Sequence, residues 1–199
     1  MPFLSQVRST PNLLTLLRLF ILPFIVNAVL DGQYIIAFAL FVLAGLTDAF
    51  DGLLARRLGQ KTKLGQYLDP IADKLLLSTL FMVLTHVGLI PRYVTVLVFS
   101  RDLGILMIAM LLFATGALRD FQPSRLGKLN TFVQIVGLVA VLSERLCGSI
   151  GWAGATKLLV PATYGPYGLL RLIAVLAPLS AAEYGWIILR RIDTPQPAA

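Results

Sequence analysis

Four aspartates, Asp48, Asp51, Asp69 and Asp73, are the residues on which chemistry can be built, in a sequence with only ten acidic side chains. At about 100° per residue, Asp48, Asp51 and Ala55 share one helical face with Gly52 beside them, and Gly65, Asp69 and Asp73 line one face of the next helix. Two helices would then present four carboxylates to one space. Like charges crowded in this way repel unless a cation joins them. Hard divalent ions prefer such oxygen ligands, and with a phosphate-bearing substrate completing the set, magnesium or manganese fits best. Asp48 and Asp51 end an apolar run, Phe38 to Phe50, and Asp73 opens another, Leu75 to Leu84. The carboxylates therefore fall where apolar helices meet a membrane surface, a costly place for uncompensated charge.

The pattern Asp48-x-x-Asp51-Gly52-x-x-Ala55-Arg56, followed by Gly65-x-x-x-Asp69-x-x-x-Asp73, resembles the signature of the CDP-alcohol phosphatidyltransferases at every specified position. The resemblance implies a membrane enzyme that binds a CDP-linked lipid through two metal ions, Mg2+ or Mn2+. CMP would be released as an acceptor hydroxyl attacks the lipid-side phosphorus. On this resemblance the four aspartates hold the metals, Asp73 also acts as the base, and Arg56 contacts the pyrophosphate. Gly52, Ala55 and Gly65 would leave room for the CDP-lipid, since a larger side chain there would occupy ligand space.

The blocks P-N-L-L-T-L-L-R, L-D-P-I-A-D-K and L-G-K-L-N-T-F-V-Q are similar to the phosphatidylglycerol-making and cardiolipin-making branches. Within that pair F-V-L-A-G-L-T-D, L-I-P and F-S-R-D-L look like cardiolipin synthases of the CDP-alcohol type. The expected function is phospholipid biosynthesis: transfer of the phosphatidyl group from CDP-diacylglycerol to a glycerol-type alcohol, with phosphatidylglycerol as acceptor and glycerol 3-phosphate as the alternative. Synthases that accept glycerol 3-phosphate commonly carry Arg-Glu where this chain has Arg101-Asp102, and a further Arg where it has Ala109. A phosphomonoester, with nearly two negative charges, would also reward more cations than a phosphodiester does. The candidates for holding the acceptor are Arg18, Lys74, Arg101 and Lys128. Three other readings compete. An intramembrane prenyltransferase would want two separated Asp-rich motifs, and a cation carrier would place its acidic groups near the bilayer midplane. A non-catalytic scaffold would release no CMP.

The elements that position these residues follow from composition. Mean hydropathy is +0.82, and 57% of residues are hydrophobic and 14% charged, against about 25% charged in a typical soluble domain. The expected fold is all-α, a polytopic membrane bundle of about six transmembrane helices in a single domain, 1–199. A short N-terminal segment, 1–12, and a frayed tail, 193–199, would flank it. The segment 1–12 lacks a small-residue cleavage signal, so the first apolar run is expected to be retained. At about 20 residues per crossing, spans are expected over 13–30, from Tyr34 or Ile35 into the signature, from Pro70 to Ile90, 93–113, 129–146 and 164–188. Asp31-Gly32 makes the first turn, the basic residues Arg56, Arg57, Lys61 and Lys63 form a connection, and Gly148 to Gly154 is a Gly-rich link.

Loop charges give an orientation. Arg8, Arg56, Arg57, Lys61, Lys63, Arg119, Arg125, Lys128, Arg190 and Arg191 fall on one side, with Arg92, Arg145 and Lys157 on the other. This bias places both termini and the signature at the cytoplasmic face, as in a bacterial cytoplasmic membrane. The net charge of +7 is dispersed between apolar spans, so it reads as contacts to lipid and phosphate rather than to nucleic acid. Cys147 and His86 are each the sole residue of their type, which leaves disulfides, zinc clusters and His triads without support. Arg18 has two readings, snorkelling to the surface or phosphate binding. Arg101 and Asp102, adjacent and poorly placed to share a face, are each expected to seek a partner on another helix. Scattered small residues offer helix contacts, and a homodimer is an expectation drawn from the resemblance.

Overall fold

The computed structural model describes residues 10–58, 63–114, 124–165 and 168–193, with side chains placed for 16–47, 72–107, 124–165 and 168–187. Every described element is a helix: α1 Thr10–Leu30, α2 Tyr34–Leu58, α3 Lys63–His86, α4 Arg92–Ala114, α5 Arg125–Ser149, α6 Ala153–Tyr164 and α7 Leu169–Asp193. Six of them run for 21 to 25 residues, and α6 has 12. The expectation of an all-helical chain therefore stands. Among the described residues, two stretches are long and apolar enough to cross a membrane, Arg125–Ser149 and Ala153–Ile187, and Leu16–Leu30 and Tyr34–Thr47 are shorter apolar helices.

Glycine sets the turns. At the end of α1 the Gly32 N–H donates to the Val29 carbonyl and Gln33 N–H to that of Ala28, and Gly32 adopts a φ of 69°. That left-handed residue lets the last carbonyls find donors, at a backbone angle a side chain would resist. The same pair of bonds recurs at Gly88, before Pro91 starts α4, and at Gly151, before α6.

Three boundaries depart from the sequence expectation. Helix α3 begins at Lys63 rather than near Pro70, and Arg56 and Arg57 belong to α2 rather than to a connection. Prolines inside helices (Pro23, Pro161 and Pro178) are likewise accommodated; each removes one backbone donor from its helix. The segment expected as link and sixth span is divided: α6 occupies 153–164 and α7 starts at Leu169. Gly151, in its left-handed turn, ends α5 and allows a new helix to start at once, which a Gly-rich composition does not reveal. Lys61 and the tail 194–199 lie outside the described residues, as does Arg119.

The chain resolves into two compact units. The first comprises 1–89 and 138–159, and the second 90–137 and 160–199. In the first, α1 packs against both α2 and α3, around buried Ile25, Val29, Ala37, Phe41, Leu80 and Leu84. In the second, α4 packs against α7, with Val94, Val98, Ile173 and Ala177 buried. The short side chains of Ala37 and Ala177 let helix backbones approach closely.

Candidate active site

The signature occupies the end of α2 and the start of α3. Asp48, Asp51, Gly52, Ala55 and Arg56 lie in the last turns of α2, and Gly65, Asp69 and Asp73 in the first three turns of α3. Both helices are held by α1. The side chains of Asp48, Asp51, Gly52, Ala55, Arg56, Gly65 and Asp69 lie outside the described residues, so among these eight only Asp73 can be placed by its atoms. Its carboxylate is 46% exposed and receives a bond from Nη1 of Arg18, which is 2% exposed.

This pair decides the reading of Arg18. A snorkelling arginine would reach for the surface, whereas Arg18 is buried and turned inward from α1 to α3. The reason is chemical: a guanidinium so deeply buried needs a carboxylate to offset its desolvation. Lys74, next along α3, is half-buried and takes part in interactions of its own.

Arg101 and Lys128 belong to the second unit. Contrary to expectation, Arg101 and Asp102 bond each other, Nη1 to Oδ1 at 2.6 Å, with both side chains buried. Adjacent positions diverge by about 100° on a helix, but the arginine side chain is long enough to fold back over its neighbour. Arg101 does also find another helix, as expected. Its Nε donates to Ser180 Oγ at 2.8 Å, and its guanidinium lies 5.9 Å from the Tyr184 ring centroid, within cation–π range. Tyr184 Oη in turn accepts from the Ser124 N–H at 3.1 Å, and Ser124 Oγ caps α5 by accepting from Gly127 N–H at 2.9 Å. The guanidinium is thus committed to fastening α4, α7 and the start of α5. Lys128, one turn into α5, is exposed.

Sequence reasoning missed this network, because Ser124, Ser180 and Tyr184 carry no charge. The spacing Arg101-Asp102 was its only visible part. It also passed over Asn130 and Gln134 on α5, both wholly buried.

The donor set suits a hard cation: carboxylates at i, i+3 on α2 and i, i+4 on α3, with the described Asp73 presenting oxygen at a half-exposed position. Among the described residues no group of three or more metal-ligating side chains occurs, since Asp48, Asp51 and Asp69 are outside them.

Comparison with known proteins supplies the rest. Over 140 residues the chain is 38% identical to a probable phosphatidylglycerophosphate synthase of Mycobacterium tuberculosis, covering 67% of this chain and 66% of that protein. It is 34% identical over 153 residues to the CMP-forming cardiolipin synthase of Homo sapiens, covering 68% and 50%. With the CDP-diacylglycerol–glycerol-3-phosphate 3-phosphatidyltransferase of Bacillus subtilis it shares 36% over 107 residues, 54% of each. The chain thus spans between half and two thirds of the length of these curated relatives. The family model for CDP-alcohol phosphatidyltransferases matches residues 8–163, a range that takes in Arg18, the whole four-aspartate signature and Arg101, Asp102 and Ser124 of the second network. With the signature and the matched length in agreement, the chain belongs to the CDP-alcohol phosphatidyltransferase family.

Proposed function

We propose that the protein is a membrane-embedded enzyme of phospholipid biosynthesis that moves the phosphatidyl group of CDP-diacylglycerol onto a glycerol-type alcohol and releases CMP. The observation that carries this reading is the complete signature inside the family match, ending on an aspartate that α3 presents half-exposed and Arg18 holds in place. In the transfer step the acceptor oxygen bonds to the lipid-side phosphorus as the phosphorus–oxygen bond to CMP breaks. The hydroxyl proton passes to Asp73, and CMP departs as a phosphomonoester. Arg18 fixes the orientation of the Asp73 carboxylate, which must lie within hydrogen-bonding reach of that proton. Asp48, Asp51, Asp69 and Asp73 would hold two Mg2+ or Mn2+ ions, whose charge offsets that of the pyrophosphate and of the departing CMP. Arg56 contacts the pyrophosphate, with Gly52, Ala55 and Gly65 leaving space for the CDP-lipid.

Outward-facing side chains support the membrane setting: Phe20, Phe24 and Trp186 are more than half exposed, and so broad an apolar surface needs lipid to cover it. Helices of 21 to 25 residues suit a hydrocarbon core of about 30 Å. We read the fold as about six crossings of a single domain in a bacterial cytoplasmic membrane, with the signature facing the cytoplasm, and a homodimer as its assembly.

For the acceptor, phosphatidylglycerol is the preferred reading, giving cardiolipin. Of the four cationic candidates, Arg18 is bonded to Asp73 and Arg101 to Asp102 and Ser180, which leaves little positive charge for a phosphomonoester. Glycerol 3-phosphate is the second reading, favoured by the relatives of Mycobacterium tuberculosis and Bacillus subtilis, whose names carry that chemistry. Purified protein given CDP-diacylglycerol and each labelled acceptor separates the two. Consumption of phosphatidylglycerol is expected, and glycerol 3-phosphate incorporated at a rate well above it overturns the preference.

A further inference from the structure

Among the described helices only α6 is too short to cross a bilayer: its 12 residues rise about 18 Å, against a hydrocarbon core of about 30 Å. It is nonetheless apolar where it faces outward. At about 100° per residue, Gly154, Lys157 and Leu158 share one face of its first turns and are exposed, whereas Ala155, Thr156 and Leu159 on the other face are partly buried. Leu158 is 74% exposed, and just before the helix Ile150 and Trp152 are 55% and 65% exposed. The turn that ends α5 fixes where this segment starts. Gly151 adopts a φ of 73°, its N–H donates to the Gly148 carbonyl, and the Trp152 N–H donates to that of Cys147. The Thr156 methyl group then stands 4.0 Å from where a Cβ on Gly148 would be, so the first turns of α6 lie back against the end of α5. Charge completes the pattern: between Arg145 and Arg171 the sequence holds a single charged side chain, Lys157, and no carboxylate.

We propose that Ile150–Leu158 is a lipid-docking surface lying along the polar–apolar boundary of the membrane, with Ile150, Trp152 and Leu158 entering the acyl layer and Lys157 bonding the phosphate of an anionic phospholipid headgroup. An indole ring is apolar but its N–H needs a polar partner, and that boundary serves both. The four-carbon stem of Lys157 can lie beside Leu158 while the ammonium reaches the phosphates. A second protein chain fits this face less well, because the core of a protein interface is depleted in lysine, whereas a helix lying in the plane of a bilayer combines lysine with large apolar side chains. The inference rests on the membrane-embedded reading above. It adds that α6 rests on the bilayer surface, leaving the crossings to the six long helices.

The chain has two tryptophans, Trp152 and Trp186, so Trp186→Phe and Trp152→Phe each leave one fluorescent reporter in the full chain, reconstituted into phosphatidylcholine vesicles. In Trp186→Phe, lipids brominated close to the glycerol backbone should quench Trp152 more strongly than lipids brominated near the chain ends. A small fraction of brominated phosphatidylglycerol should quench it more than the same fraction of brominated phosphatidylcholine, corresponding to a roughly fivefold enrichment of the anionic lipid. Lys157→Gln in the same background should abolish that preference, and a preference that persists overturns the headgroup contact. Strongest quenching from the chain ends overturns the boundary position. Quenching of Trp152 by aqueous acrylamide but by no brominated lipid overturns the docking surface in favour of solvent, and protection from both overturns it in favour of a second copy or another protein. Trp186, 59% exposed on α7, reads embedding separately in Trp152→Phe. If brominated lipid quenches Trp186 and never Trp152, the docking surface alone is overturned; if it quenches neither, the membrane-embedded reading falls with it.

Discussion

Two arginine–aspartate pairs, one in each unit, are built from the same groups in opposite settings. In Arg18–Asp73 the arginine is buried and the carboxylate is 46% exposed, and the partners come from different helices. In Arg101–Asp102 both side chains are buried, the partners are neighbours in sequence, and Ser180 and Tyr184 close around the guanidinium. A carboxylate with exposed oxygen can meet a proton or a cation. A pair sealed on all sides spends its charge on holding helices together. The difference shows that a buried arginine is not by itself a sign of substrate binding: what matters is whether its partner remains open to solvent and ligand.

The largest predicted effect sharpens the first half of this comparison. Asp73→Asn should lower turnover by about 10²–10⁴-fold, the usual worth of a positioned proton acceptor, and should also lower the melting temperature, because it leaves the buried Arg18 guanidinium without its carboxylate. Turnover within threefold of wild type would remove Asp73 from the chemistry. Asp51→Asn and Asp69→Asn should come close to abolishing activity as well, since an amide is a poorer ligand for a hard cation and leaves its charge uncompensated. Persistence of full activity in either would undo the two-metal assignment.

The second half is broken differently. Arg101→Ala leaves the Asp102 carboxylate buried without its guanidinium and is predicted to destabilise by about 3–5 kcal/mol, whereas the double replacement Arg101→Met with Asp102→Leu should be near neutral. Thermal unfolding in detergent reads both, and equal losses in the single and double variants would contradict a closed structural pair. A smaller effect is expected at Gly137, where an added Cβ meets only the mobile end of Ile173. Gly137→Ala should cost about 1–3 kcal/mol as an overpacked contact. Smallest of all is Arg145→Gln: its ion pair with Glu144 spans 3.1 Å and Arg145 is 42% exposed, so less than about 1 kcal/mol should be lost.

Much of the fold was legible because it rests on local rules. Apolar runs of spanning length gave the six long helices, and the turn at Asp31-Gly32 followed from the one residue type that accepts its backbone angle. The signature was legible because chemistry fixes both the type and the spacing of its residues. Helix α6 was not, since Ala153 and Gly154 directly follow a Gly-rich turn and Pro161 interrupts its pattern, so composition reads as a link where the chain forms a helix. The Arg101–Asp102 bond was missed because a rule about helix faces places Cα–Cβ directions and ignores the reach of a long side chain. Asn130 and Gln134 entered only as part of the L-G-K-L-N-T-F-V-Q block, with no role of their own: neutral amides fit a polar helix face as well as a buried one, and only their complete burial without partners sets them apart.

The most direct test of the central claim is CMP release from CDP-diacylglycerol by the purified protein in detergent, with phosphatidylglycerol and glycerol 3-phosphate offered in turn under Mg2+ or Mn2+. Release that requires an acceptor, stops on chelation of the metal and falls by at least about 10²-fold in Asp73→Asn, but survives in the Arg101→Met/Asp102→Leu double variant, is the predicted result. No CMP with either acceptor and either metal, from protein that melts cooperatively, would contradict it.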